Sequence, residues 1–551
     1  MRIISIHNGH DACITAIEDG EIIYHWELER NIYKVKHFAG FHNKNIVAEF
    51  LRCHVLPLLL WDNVDYISLG SLYAGWLGDC YKNSEFFSII KDKYGESLST
   101  PYVAWEANWN KKSSQKFFAN THHVSHMAYS YYTSPFDEAL LFAYDGEGDF
   151  NTTTTYGIGR SNKLEYTGNL ATHPREDMPN TRIGYCYNRL CNIVPFFGKD
   201  LMATPGKAMG YSSYGKARDE WKPAIVESLV KAEMEPILQK LDLPNDLDSK
   251  DQRAMDLVAT LQTVAEDYVI NCLRTLMKET GIKNICLSGG CALNVLINER
   301  IREEVTENLY VPPACSDTGQ SLGSGLYLWH HILDKPFKPK EWHNPYLGDY
   351  IQDNRIQRSS IERKKLKDED DLIEEASNLL IEGKIIGWAH GRSEIGPRAL
   401  GNRSILCFPA KPNMKDLINE KVKHREWWRP FAPICLYEDF PEWFETTQEC
   451  PYMLRSPLVK ENKRDIIPAV THVDGTARLQ TVRSSQNPLL HKLLEAVKEK
   501  TGVPILLNTS LNGQAKPIIN NVEAICDLLE TTELDCAFVG TEMLRKRKLF
   551  L

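Results

Sequence analysis

No two cysteines form a Cys-x-x-Cys pair: the fourteen in the sequence stand singly between Cys13 and Cys536. That absence excludes zinc fingers, thioredoxin-type exchange and a dense disulfide framework, and reduced thiols are expected. Long apolar runs are also missing. The tightest, Val55 to Trp61, is broken by Pro57, and the opening MRIISIHNGHDACITAIEDG has no charged segment leading into an apolar one. No membrane span or secretory leader is therefore expected, and the chain reads as cytoplasmic. Basic residues are not in excess, since 64 Lys and Arg face 73 Asp and Glu for a formal charge of -9. This balance argues against nucleic acid as the main partner and leaves room for a local basic pocket and a small anionic ligand.

What is present is an ordinary globular composition. Of 551 residues, 43% are apolar and 25% charged, enough for roughly two to four domains at about 150 residues each. The opening reads as three strands, Arg2 to Ile6, Cys13 to Ile17 and Glu21 to Trp26, with Asn8-Gly9 and Asp19-Gly20 as hairpin turns. A second strand, Ala139 to Tyr144, runs into Asp145-Gly146-Glu147-Gly148-Asp149 and then the β-prone stretch 151–157. A helical pattern follows from Pro223, with a long amphipathic run from Met255 to Met277. A short strand, Asn284 to Leu287, then enters Gly289-Gly290 ahead of a helix. Two such hairpin units with helices between them resemble the duplicated core of the sugar kinase, heat-shock protein and actin superfamily. The Pro- and charge-rich segment from Asp334 to Asp371 is the best linker, giving domains 1–345 and 346–551.

Three constellations carry chemistry. His122 and His126 share one face if their segment is helical, and with Asp145 and Asp317 they offer two nitrogens and two carboxylates to one metal ion. Fe, Mn and Zn suit the nitrogens best, with Mg also open. Glycine-rich stretches at Pro205–Gly210, Leu287–Asn294 and Gly319–Gly325 would let backbone approach a nucleotide. The third set is basic: Arg398 in a Gly/Pro frame, then Lys421, Lys423, Arg425 and Arg429, then Arg478, with Asn508, Thr509 and Ser510 at a strand end. Arginine forks and lysine charges are what phosphate recognition needs, although Lys421 and Arg425 also fit a solvated face.

In order, GHDAC, ERNIYKVKH, HHVSH, YDGEGD, PGKAMG, LSGGCALN, SDTGQSLGSGL, GPRALGNRSIL, REWWRPFAP, HVDGTARLQTV and LLNTSLN resemble the O-carbamoyltransferases of the NodU/CmcH family over nearly the whole chain. The resemblance implies an α/β protein with an N-terminal actin-like domain and a C-terminal YrdC-like domain. The YrdC-like domain would make carbamoyl adenylate from carbamoyl phosphate and ATP, and the actin-like domain would pass the carbamoyl group to a hydroxyl of a small natural product. Confinement would protect the mixed anhydride from water. By motif match, Arg398, Lys423, Arg429, Arg478 and Ser510 would hold carbamoyl phosphate, and His122, His126, Asp145 and Asp317 the metal, with Fe favoured. His10 would deprotonate the acceptor, a task suited to an imidazole titrating near neutrality. Lys36, Lys207, Gly289, Gly290, Asn294, Asn508 and Thr509 are the nucleotide candidates. Acceptor contacts are expected in Tyr66 to Lys111 and Arg175 to Met202.

Rival readings remain. A threonylcarbamoylation enzyme acting on tRNA would share both domain types, but the acidic balance and the His10 turn count against it. The hydrogenase-maturation carbamoyltransferase has Cys-x-x-Cys zinc fingers that this chain lacks. A non-catalytic nucleotide or metal sensor would leave the arginine-rich second domain without a purpose.

Overall fold

The structure, a computed structural model, describes residues 1–30, 36–37, 50–61, 63–71, 102–108, 114–149, 152–170, 173–353 and 358–547. Strands rich in β-branched residues, Ile3, Ile4 and Ile6 then Ile14, Thr15 and Ile17, form an antiparallel meander of Arg2–His7 (β1), Cys13–Glu18 (β2) and Glu21–Glu27 (β3). Asp19 and Gly20 turn β2 into β3 with φ values of 50° and 89°, the paired left-handed conformation that a two-residue hairpin favours. The loop before it departs from the expected Asn8-Gly9 turn. It runs over residues 8–12, and its left-handed residue is Asp11, at φ 59°. His10 and Asp11 thus stand at the tip of a longer loop.

Tyr66–Gly70 (β4) adds parallel to β1, Ser114–Asn120 (β6) adds parallel to β4, and Tyr102–Asn108 (β5) closes the edge, giving the order β3-β2-β1-β4-β6-β5. The second sheet repeats the plan. Glu138–Tyr144 (β7), Thr154–Arg160 (β8) and Lys163–Asn169 (β9) form a meander, and Ile285–Ser288 (β10) and Leu309–Tyr310 (β11) follow in parallel beside β7. A three-strand meander with two parallel strands beside its first member, built twice, is the duplicated architecture of an actin-like domain.

The helices couple the repeats. His122–Tyr132 (α1) leaves the first sheet and packs on β7 and β10 of the second. Ile183–Ile193 (α2), Thr204–Ser212 (α3), Gln252–Thr280 (α4) and Val295–Glu304 (α5) form a helical layer in which α4 packs on α3 and α5 and α2 packs on α3. Gln320–Tyr327 (α6) crosses back onto β1 and β4 and packs along α1. The crossing brings the start of α1 to the start of α6.

Residues 361–546 build a third, mixed sheet of Ile361–Lys365 (β12), Ile386–Ala389 (β13), Arg403–Cys407 (β14), Ala432–Leu436 (β15), Gln480–Val482 (β16), Ile505–Ser510 (β17), Cys536–Val539 (β18) and Glu542–Lys546 (β19), in the order β12-β19-β18-β13-β14-β17-β15-β16. The protein is thus mixed α/β, with an actin-like N-terminal part and an α/β C-terminal part. One apolar core runs through both: Leu141, Phe142 and Leu273 belong to the same buried cluster as Trp388, Trp428 and Leu506. Among the described residues no helix is long and apolar enough to cross a membrane.

Candidate active site

The helical spacing in HHVSH is realised in α1, where the Nε2 atoms of His122 and His126 lie 3.1 Å apart. Asp145, directly after β7, brings Oδ2 to 2.9 Å from His126 Nε2 and 3.4 Å from His122 Nε2. Asp317, ahead of α6, brings Oδ1 to 3.2 Å and 3.3 Å from the same two nitrogens. One donor atom from each residue lies within 4.8 Å of the others. Burial opposes charge on His122, but Asp317 and Asp145 hold its pKa well above the ordinary value. Burial would likewise raise Asp317, yet His122 and His10 pull it well below the carboxylate range. Two imidazole nitrogens converging on two carboxylate oxygens, that of Asp317 buried and that of Asp145 partly so, fit a divalent transition ion.

Local backbone makes the cluster possible. The first amide of α1, His122 N, donates to Asp149 Oδ2 at 2.8 Å, so an acid of the YDGEGD segment meets the helix N-terminus. β10 runs directly into Gly289 at φ 91°, where a Cβ would run into the Tyr144 carbonyl beside Asp145. Gly289 thereby shapes the junction without lining the cavity described next.

His10 bridges the cluster to the β1–β2 loop. Its Nε2 lies 3.1 Å from Asp317 Oδ2 and its Nδ1 3.0 Å from Asp11 Oδ2, while Asp11 Oδ1 meets His37 Nδ1 at 2.8 Å. Asp317, reinforced by Asp11, pushes His10 up to about 9 against its burial. That differs from titration near neutrality: with Asp317 free to pair with it, the imidazole is charged at pH 7.

A cavity of about 300 Å³ opens beside these groups, lined both by His10, Asp145 and Asp317 and by Arg398, Arg429 and Ser510. Tyr187, Met209, Leu293 and Ile297 give it an apolar wall, and Lys36, Gly290 and Asn294 also line it. Asn294 caps α5 through Ile297 N at 3.2 Å and exchanges hydrogen bonds with Gln262. Lys207 is directed elsewhere, to Glu426 at 2.8 Å and the Phe197 carbonyl at 2.6 Å. Asn508 donates to the Ala399 carbonyl at 2.8 Å and to Gln480 at 3.1 Å, and neither it nor Thr509 lines the cavity.

The basic side is short of counter-charge. Burial lowers the Arg478 pKa well below its ordinary value, and Arg398, Arg425 and Arg429 lower it further. Burial and Arg429 bring Arg398 down to about 10. Of these four, only Arg429 has a carboxylate within ion-pair distance among the described residues, Glu426 at 3.6 Å. Lys423 meets neutral acceptors instead, donating to Ser510 O at 2.8 Å and Asn512 O at 3.0 Å and also to Asn512 Oδ1. Half-buried guanidinium groups crowded together with little counter-charge are costly, and a phosphate-bearing ligand would supply what is missing.

Arg425 therefore belongs to the cluster, although sequence spacing alone fitted it equally to a solvated face. Lys421 does have that bland role, 42% exposed beside Glu420 and Glu533. Glu27, Arg30, Asp11 and His37 also line the cavity. Their signal in the sequence was proximity to the GHDAC and ERNIYKVKH segments. Of the stretches expected to contact an acceptor, residues 72–101 and 109–111 lie outside the described residues, and Ile183, Gly184, Tyr187, Asn188 and Met202 line the cavity.

Comparison with known proteins adds an independent line. The family model described as Carbamoyltransferase N-terminus matches residues 2–326, and that described as Carbamoyltransferase C-terminus matches residues 377–546. Nodulation protein NolNO of Sinorhizobium fredii is 32% identical, over 98% of this chain and 79% of its own. The 3'-hydroxymethylcephem-O-carbamoyltransferase of Streptomyces clavuligerus is 28% identical, over 99% of each chain. Among solved structures, full-length HypF in its phosphate- and nucleotide-bound form aligns with 62% of this chain and 56% of its own at 13% identity. Its TM-score of 0.36 is too low to carry an argument.

Proposed function

Since the chain belongs to the carbamoyltransferase family, we propose that it is an O-carbamoyltransferase that makes carbamoyl adenylate from carbamoyl phosphate and ATP and transfers the carbamoyl group to a hydroxyl of a small natural product. The observation that carries this reading is one cavity walled both by His10, Asp145 and Asp317 and by Arg398, Arg429 and Ser510. A carbamoyl group activated at one wall need not cross open water to reach the other. The boundary that fits this division is the one at 345/346.

In the first half-reaction, water cleaves carbamoyl phosphate to carbamate and inorganic phosphate. A carbamate oxygen then attacks the α-phosphorus of ATP, and pyrophosphate leaves. Arg398, Arg429 and Arg478 offset the phosphate charge, while Lys423 fixes Ser510 and Asn512, which line the cavity. In the second, the acceptor hydroxyl oxygen attacks the carbamoyl carbon, the carbon–oxygen bond to the phosphate breaks, and AMP departs. His10 takes the proton lost by the hydroxyl as the neutral imidazole, the form open to it where Asp317 is turned to His122 and His126 instead of pairing with it, and Asp11 fixes the ring through Nδ1. A divalent ion held by His122, His126, Asp145 and Asp317 would neutralise phosphate charge on the leaving AMP. The donor set suits Fe, Mn or Zn.

The hydroxymethyl group named for the Streptomyces clavuligerus relative supports a hydroxyl acceptor here. A test needs no acceptor. Purified protein is incubated with ATP, carbamoyl phosphate and a divalent metal, and pyrophosphate and AMP or carbamoyl adenylate are followed by mass spectrometry. Release that depends on carbamoyl phosphate is expected. Its absence from protein that binds both ATP and metal would overturn the reading.

A further inference from the structure

The loop that presents Arg398 is braced from the other end of the chain. Arg30, three residues beyond β3, donates from Nη1 to the Glu394 carbonyl and from Nη2 to the Gly396 carbonyl, each at 2.5 Å. Glu27 pairs with Arg30 at 2.8 Å and accepts from Gly396 N at 2.5 Å. Two side chains of the N-terminal part thus read three consecutive-turn backbone groups just ahead of Arg398.

The bracing is reciprocal. Arg392, from the loop, donates to the Ile23 carbonyl at 2.9 Å and lies 3.8 Å over the Tyr24 ring. Gly396 sits at φ 84°, where a Cβ would run into the Pro313 carbonyl, four residues before Asp317. On the far side, Glu394 Oε1 accepts from Leu400 N at 2.5 Å and from Asn402 N and Arg403 N at 3.3 Å. The loop is therefore pinned on both sides of Arg398.

Arg398 itself makes no hydrogen bond or ion pair among the described residues, and its Nε is buried without a partner. Among the described residues no hydrogen bond or ion pair at the guanidinium sets its direction. Its aim into the cavity comes from the backbone on either side, and on the N-terminal side that backbone is fixed by the fork of Arg30.

We infer that Arg30 is a positioning residue for the anion site, acting through the carbonyls of Glu394 and Gly396 to aim Arg398. The inference rests on the reading above, in which Arg398 receives the phosphate of carbamoyl phosphate. It goes beyond it by making the anion site dependent on a residue of the N-terminal part. Lysine keeps the charge of arginine but cannot span two carbonyls with a planar fork, so the substitution separates charge from geometry.

The experiment is calorimetric titration of the full-length protein with carbamoyl phosphate and, separately, with a divalent metal. It compares wild type, Arg30→Lys, the paired variant Glu27→Gln/Arg30→Met, which removes both charges at similar volume, and Arg398→Ala. Arg30→Lys and the paired variant are expected to weaken carbamoyl phosphate by about 10- to 100-fold, the scale of a misaimed contact, and to leave metal affinity within about twofold. Wild-type affinity for carbamoyl phosphate in both folded variants would overturn the inference. So would equal weakening of carbamoyl phosphate and metal, which is what a merely structural role produces. If Arg398→Ala binds carbamoyl phosphate as wild type does, the underlying reading fails and this inference with it. If only Arg398→Ala is impaired, the reading stands and the role of Arg30 falls.

Discussion

His122 and His126 bring their Nε2 atoms within 3.1 Å of each other, one helical turn apart, and share both Asp145 and Asp317. Two imidazole nitrogens at that distance cannot both carry protons toward each other, whereas both can turn lone pairs to one cation. His126→Ala is expected to weaken metal binding by about two orders of magnitude. Metal analysis of the purified variant beside wild type measures it, and unchanged stoichiometry and affinity would falsify the assignment. Stripping the metal from wild type with a chelator should remove transfer activity, and re-addition should restore it.

Arg398 stands on the basic wall of the cavity with no counter-ion among the described residues. Truncation to alanine should lower carbamoyl-phosphate-dependent pyrophosphate release by about 10²- to 10³-fold, the cost of a lost charge-stabilising donor. Measured release near the wild-type rate would show that phosphate is held elsewhere.

His10 faces the His122, His126, Asp145 and Asp317 cluster from a loop whose left-handed residue is its neighbour Asp11. His10→Ala should leave adenylate formation intact and slow carbamoyl transfer by about 10²- to 10⁴-fold, the range for a general base. Rapid-quench separation of the two half-reactions decides it. Loss of the first half-reaction instead would give His10 a structural or nucleotide-binding task.

Glu299 ties α5 to the 446–456 segment. Its carboxylate meets Arg455 at 3.0 and 3.1 Å, Arg302 at 3.0 Å and Ser456 N at 3.1 Å. Burial would raise its pKa, but Arg455 and Arg302 hold it below the usual 4.5. A folded-state pKa below the unfolded one contributes stability above pH 4.5 that is lost as pH falls through the folded value. Glu299→Ala should cost about 3–5 kcal/mol near neutral pH. In urea titrations, the gap between wild type and Glu299→Gln should narrow on acidification, and a gap independent of pH would mean that the carboxylate's charge contributes nothing.

Local signals carried much of this architecture. Asp19-Gly20 sits in the hairpin turn that its residue types favour, and the i,i+4 spacing of His122 and His126 is realised in a buried helix. Asn8-Gly9 misled because the same residues tolerate several loop geometries, and the chain placed its left-handed residue at Asp11. Lys207 shows another limit: a lysine beside a glycine-rich turn reads as a phosphate ligand until Glu426, far along the chain, is seen to claim it. Arg425 was ambiguous for the complementary reason, since only the fold reveals that it crowds the guanidinium groups of Arg429 and Arg478. Arg30 carried no spacing clue at all, because its partners are backbone carbonyls, which any sequence would supply.

The apolar interior joining Phe142 to Trp428 and Leu506 has a thermal consequence. Neither half of the polypeptide can lose its order without stripping cover from the other. Heating should therefore produce one calorimetric endotherm for the intact chain, where two independently stable modules would give two.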